Sequence, residues 1–218
     1  MAKPSRRDIA REILRRHPRS HADRLGIDVA RNTPAPLYCW LIAALLFSAR
    51  ISAGQAESAA RALFDQGWRT PRRMAAVTWA RRVKVLNRAG YARYDESTSR
   101  YIAETTALLL QRYGGDLRRL REAAGRDPAR ERELLKDFKG IGEVGADIFF
   151  REAQAAWDEL YPFADRKALQ VAAELGLGDS AADLARLLRR RRDLPRLTAG
   201  LVAVGLAREG KALLRALA

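Results

Sequence analysis

The chain has 218 residues, 48% of them hydrophobic, which is enough to build a sizeable core and excludes a disordered chain. Lys and Arg total 41 against 26 Asp and Glu, a formal charge of +15, with a sequence pI near 10.9. That excess suits a polyanion, because each phosphate neutralised releases counterions; it equally suits a coding bias toward arginine, with the charge solvating the surface. There is no 18-residue apolar run and no charged-then-apolar leader, so no membrane partner is expected. The single cysteine, Cys39, excludes an intramolecular disulfide, and the expected location is cytoplasmic.

The spacing of apolar residues predicts helices throughout, an all-α chain. Residues 4–17 read as a basic amphipathic helix with Ile9, Ile13 and Leu14 on one side, a packed arm, and residues 19–32 as a polar connector. His17 and His21 have a metal-ligand spacing, but Pro18 breaks the helix that would put both on one face, so no metal is expected. Residues 37–49 are apolar on nearly all sides, the pattern of a central buried helix, with Cys39 an inert core thiol. Helices are predicted next at 52–66 and 70–77, the second opened by Thr70 as N-cap and Pro71.

Residues 81–94 interleave Arg81, Arg82, Lys84, Arg88 and Arg93 with Tyr91 and Tyr94. Tyr91 reads as core, and the arginines as solvated or phosphate-facing. Asp95 is expected to cap a helix running to Tyr113, which Gly114-Gly115 ends, and Asp127-Pro128 to start another. Further on, Asp179 is expected to cap a helix over 180–192 that closes in Arg189–Arg192, a solvated end favoured by the helix dipole. Pro195 opens a final helix over 196–217, expected to pack against the hairpin lobe.

Residues 134–154 read LLKDFKGIGEVGADIFFREAQ. One apolar stripe (Leu134, Leu135, Phe138) ends at Lys139-Gly140-Ile141-Gly142, and a second (Val144, Ile148, Phe149) begins at once, so two helices meet at a two-glycine turn. Gly140 and Gly142 suit such a turn, because a residue without Cβ takes positive φ cheaply and admits a neighbouring backbone. The amides of Gly142, Glu143 and Val144 would then be outward-facing donors at a helix N-terminus, an anion site suited to phosphate. The same glycines equally fit a tight turn in any α-bundle. About twenty residues on, a Pro-containing loop, Tyr161-Pro162-Phe163-Ala164, delivers Asp165 to the N-cap of an amphipathic helix.

With these residues in place, the chain resembles the helix-hairpin-helix (HhH-GPD) DNA glycosylases of the endonuclease III superfamily. In that family a hairpin of the form LPGVGxKTA leads, through a loop, to a catalytic Asp opening the next helix. Residues 138–146, FKGIGEVGA, match the hairpin, and Asp165 with the helix ending Leu175-Gly176-Leu177 matches the catalytic Asp and its helix. Residues 41–50, LIAALLFSAR, resemble that family's LLIAVLLSAQ helix; 86–91 resemble its IGLYN-type turn, and 201–209 its last helix before the iron–sulfur segment. The resemblance covers nearly the whole chain in order. It implies a two-lobed all-α fold, with 1–32 and 134–218 packed against 33–133 and the hairpin unit at about 128–156.

Two departures shape the expected chemistry. Where bifunctional members carry a lysine that forms a Schiff base, this chain has Val144, from which no amine can act. Where the family often ends in four cysteines holding a [4Fe–4S] cluster, this chain has only Cys39, so no cofactor is expected. The resemblance therefore implies a monomeric, monofunctional glycosylase acting on double-stranded DNA with a damaged base. Asp165 would stabilise the oxocarbenium-like sugar, and Arg166 and Lys167 would favour its ionised form if they turn toward it. DNA contacts are expected from Lys139, Gly140, Gly142, Glu143, Val144 and Gly145, and from Arg166 and Lys167. Arg50 stands where the family carries a polar residue that enters the base stack; it fits that role or an ordinary phosphate contact. The alternatives are a non-catalytic DNA-binding protein on the same scaffold, and a bifunctional lyase using Lys139 or Lys167.

Overall fold

The computed structural model describes residues 4–217, which form helices and no strand. In chain order these are α1 (Arg6–Arg16), α2 (His21–Arg24), α3 (Pro34–Phe47), α4 (Ala53–Asp65) and α5 (Pro71–Ala75). Next come α6 (Trp79–Arg88), α7 (Asp95–Tyr113), α8 (Leu117–Ala123), α9 (Pro128–Lys136) and α10 (Glu143–Ala153). Last are α11 (Arg166–Glu174), α12 (Ala181–Leu187), α13 (Leu194–Ala207) and α14 (Gly210–Leu217). The chain packs as two units: a central unit, Leu25–Phe149, and a terminal unit made of the segments up to Arg24 and from Phe150 onward. The lobes expected from the sequence meet at 33 and 134. The packing boundaries fall instead at 25 and 150, because the hairpin turn is tied by side chains of α7 and of Ser48 after α3, and so belongs with the central helices.

The central unit is built around α3. Every residue from Leu37 to Leu46 is buried, which satisfies a helix that is apolar all round. Its polar atoms find partners: Tyr38 Oη lies 2.7 Å from Thr106 Oγ1, and Trp40 Nε1 donates to the Phe149 carbonyl at 3.0 Å. Cys39 donates to the Arg69 carbonyl, and burial pushes its thiol up to about 11, as an inert core thiol requires. The Ser52 hydroxyl and the Gln55 side chain form a capping box at the start of α4. Asp95 is the first residue of α7 rather than its N-cap; its carboxylate takes the Glu96 amide and the Asn87 side chain. Arg82, expected among the solvated cations, is buried. It donates to the carbonyls of Val77 and Ser99 and to Ser99 Oγ, joining the C-terminal side of α5 to α7.

In the terminal unit α1, capped by Ser5, packs on α13, which also carries α11. A Cβ at Gly205 would stand 2.5 Å from Val171 Cγ2, so glycine is what lets α11 approach α13 so closely. The expected polar connector after α1 is not solvated. Ser20, His21 and Ala22 are buried, because Glu152 Oε1 accepts the His21 and Ala22 amides at 3.1 and 3.4 Å. The helix expected over 180–192 is capped by Ser180 and ends at Leu187. Arg189 and Arg190 lie beyond it in a non-helical stretch, and Arg191–Asp193 form a 3-10 turn. The helix expected over 196–217 is two helices, broken where Arg208 turns left-handed (φ 57°), and its first part packs on α11 and α1.

Candidate functional site

The hairpin forms as its residues predict. Asp127 Oδ1 accepts the Ala129 amide at 2.9 Å to start α9, and Phe138 and Ile141 bury into the central unit on either side of the turn. Gly140 adopts φ +86°, and a Cβ there would meet Tyr101 Cδ2 at 3.1 Å and Leu45 Cγ at 3.3 Å, so only glycine fits. Thr105 Oγ1 donates to the Lys139 carbonyl at 3.0 Å, and Ser48 Oγ to the Gly140 carbonyl at 3.3 Å. Gly142 departs from expectation. Its φ is not positive, and a Cβ there meets nothing within 4 Å, so no neighbouring backbone uses the space in front of it.

The first i to i−4 bond of α10 runs from the Ala146 amide to the Gly142 carbonyl at 2.9 Å, so the amides of Glu143, Val144 and Gly145 precede the ladder. Those amides stand beside the open space in front of Gly142, where an anion can approach a helix N-terminus. Val144, expected on the apolar stripe, is instead 60% exposed, whereas Gly145 is buried against Ile141 and can offer only its amide. The Glu143 carboxylate is held by Lys136 Nζ at 2.6 Å and Arg132 Nη1 at 3.0 Å, which lowers its pKa, the Lys136 bond contributing most, and offsets its charge beside those amides. Lys139 is exposed, with Nζ 5.8 Å from the Tyr101 ring centroid.

Arg50 lies just beyond the end of α3 and is exposed. With Ser48, Tyr91, Tyr94, Tyr101 and Gly140 it lines a cavity of about 450 Å³, so the central unit brings together two of the expected DNA-contacting positions, Arg50 and Gly140. Tyr91 is buried, as expected for a core residue, and its ring also forms part of this wall.

Asp165 is the N-cap of α11. Its Oδ1 accepts the Lys167 amide at 3.0 Å and the Ala168 amide at 3.1 Å. Arg166 and Lys167, expected to hold it ionised, are exposed and make no ion pair with it. The cation paired with it is Arg151 of α10, whose Nε and Nη2 each reach Asp165 Oδ2 at 2.7 Å, with the two side chains 7% and 5% exposed. One turn on, Gln154 grips the loop leading to Asp165: its Nε2 donates to the Phe163 carbonyl at 3.0 Å, and its Oε1 accepts the Phe163 amide at 3.0 Å. Phe150 packs edge-on against Phe163, and the Arg191 guanidinium lies 4.1 Å from the Tyr161 ring centroid.

Sequence reasoning missed Arg151 and Gln154. The signal was present: Arg151 continues the 144–148 stripe by three residues, so a cation occupies an inward position of an amphipathic helix. Beside it Glu152 is buried, and desolvation raises its carboxyl to about 7, although Ser20 and the Ala22 amide bond to it. Burial with neighbouring Arg151 and Arg24 lowers the His21 imidazole to about 3. Among the described residues no group of His, Cys, Asp and Glu side chains is arranged to hold a metal ion.

No family model and no curated protein matches the chain. Solved structures that share its fold include two endonuclease III–DNA complexes. One is an endonuclease III trapped as a covalent intermediate with DNA, in an estranged-adenine complex; it is 21% identical over 91% of this chain and 83% of its own, with a TM-score of 0.52. The other is an endonuclease III in a non-covalent DNA complex, 20% identical over 97% of this chain and 99% of its own, with a TM-score of 0.53. The fold is therefore the all-α endonuclease III-like fold.

Proposed function

We propose that this protein binds double-stranded DNA through its hairpin and acts in base excision repair as a monofunctional, monomeric DNA glycosylase. The observation that carries the reading is the open N-terminus of α10. Its leading amides precede the helical ladder, and nothing of the protein fills the space before Gly142, so a backbone phosphate can approach them. Arg50, on the wall of the tyrosine-lined cavity, is the candidate to enter the base stack and bond the widowed partner of an extruded base.

Cleavage of an N-glycosidic bond builds positive charge on the sugar, and a carboxylate near C1′ stabilises it and orients a water. Asp165 is the candidate, its Oδ1 fixed by the cap bonds and its Oδ2 by the Arg151 guanidinium. To face a sugar, its Oδ2 must leave Arg151. Val144 offers no amine for a Schiff base, so the expected product is an intact abasic site.

A second reading is favoured by the same corner. All the hydrogen bonds of the Asp165 carboxylate run inward and its side chain is 5% exposed, as in a structural cap on a scaffold that binds DNA without cutting it. The experiment that separates the two incubates the protein and Asp165→Asn with end-labelled duplexes carrying uracil or alkylated, oxidised or deaminated bases, with and without hot alkali. Alkali-dependent breaks that vanish in Asp165→Asn are expected. Breaks without alkali, with a borohydride-trapped adduct, would instead mean a lyase using Lys139 or Lys167. Salt-sensitive binding without any break would leave the non-catalytic reading, and binding insensitive to salt would end both DNA readings.

A further inference from the structure

In the terminal unit, the first turns of α1 and the segment after α12 enclose a cleft of about 300 Å³. We infer that this cleft is a binding site for a phosphate ester, held by Arg7 and Arg189 over an apolar wall. Several other arginines of the same unit are committed to acids: Arg15 and Arg16 to Glu12, Arg186 to Asp183, Arg191 to Asp158, and Arg196 to Asp23 and Asp193. Within the cleft Arg11 is tied to Asp8 at 2.9 Å, and the one acid on its wall, Asp193, faces Arg196 at 3.6 Å. Arg7 and Arg189, by contrast, are exposed and form no ion pair among the described residues. The cleft therefore collects two uncompensated guanidinium groups, the side chain best shaped to grip a phosphate with paired donors.

The remaining wall is apolar. Leu14, Leu187 and Leu188 pack against the core of the unit and line the cleft. A bare anion gains nothing from leucine, whereas a phosphate carrying a sugar or a base buries its carbon against it. That chemistry has two sources, a free nucleotide or a phosphodiester of a nucleic-acid strand. Neither depends on the hairpin, whose turn belongs to the central unit. The arginine run after α12 thus has a more specific role than a solvated helix end, because the chain leaves the helix before it and carries Arg189 to the cleft that Arg7 also lines.

The test compares wild type with Arg7→Gln/Arg189→Gln and with Gly142→Glu, a hairpin variant that places an acid in open space. Both changes lie on exposed positions, so unchanged thermal midpoints are the control. Calorimetry with dAMP and inorganic pyrophosphate reads the free source, and a salt series with a 20-mer duplex and its single strand reads the strand source. For a free nucleotide, dAMP binds wild type and its affinity falls about tenfold or more in the double variant, the loss of a charge-assisted bond. For a strand, dAMP fails to bind but the slope of log affinity against log salt becomes shallower by about two in the double variant. The inference falls if dAMP and pyrophosphate do not bind and the double variant matches wild type in DNA affinity and slope. A duplex signal lost in Gly142→Glu alone would leave the proposed function standing without this site; dAMP binding without any DNA binding would do the reverse.

Discussion

The hairpin turn and the Asp165 corner are built from similar parts, a helix start beside charged side chains, and they use those parts differently. At the hairpin the amides of Glu143 and Val144 precede the helical ladder, Gly142 fronts open space and Val144 is exposed. At Asp165 the corresponding amides are taken by the cap itself, and the carboxylate's other oxygen is taken by a buried guanidinium. A helix N-terminus is an anion site only while its donors are free. The hairpin therefore offers a site, and the corner has already filled its own with Asp165.

The contrast breaks most readily at Arg151. Arg151→Gln leaves a carboxylate buried without its cation, and unfolding stability is expected to fall by about 3–5 kcal/mol. Denaturant titration checks this; a loss under about 1 kcal/mol would mean that Asp165 is solvated and the corner open. Gly142→Glu, at the open hairpin, should leave stability nearly unchanged.

Next comes the acid beside that cation. Glu152 has its folded pKa raised to about 7, so it contributes stability that is full below the ordinary glutamate range and lost as pH rises through 7. The Glu152 component alone should decline by about 3 kcal/mol between pH 4.5 and 8, and Glu152→Gln should abolish it. His21 has the opposite sign: its pKa is lowered to about 3, so its contribution is present above 6.5 and is lost as pH falls below that. Thermal unfolding of wild type and Glu152→Gln at several pH values separates the two, because the His21 component is common to both proteins.

Within the hairpin the two glycines should part company. Gly140→Ala forces a Cβ at φ +86° against Tyr101 and Leu45 and should cost about 1–2 kcal/mol. Gly142→Ala meets neither obstacle and should cost less than about 0.5 kcal/mol. Equal losses in chemical denaturation would show that the turn does not distinguish them. A small effect is also expected at Thr105→Val, which removes the hydroxyl bond to the Lys139 carbonyl and should cost about 1 kcal/mol in the same titration.

Local sequence was enough for the order of helices and most of their starts. Thr70-Pro71, Asp127-Pro128 and the Asp165 cap act through neighbours two or three residues away, so local chemistry is sufficient. It also determined that α3 is central, because a helix apolar on every side has no stable place except a core. Tertiary structure decided which charged groups are spent. Arg82 donates into carbonyls of α7 and of the turn after α5, Arg151 pairs across a loop with Asp165, and Glu152 holds the amides of residues 21 and 22 from 130 positions away. Arg166 and Lys167, nearer in sequence to Asp165, point elsewhere. Adjacency fixes backbone bonds but not where a long flexible cation finds its acid. That pairing is set by desolvation and by the elements that packing brings together, and so is which helix start keeps its donors free.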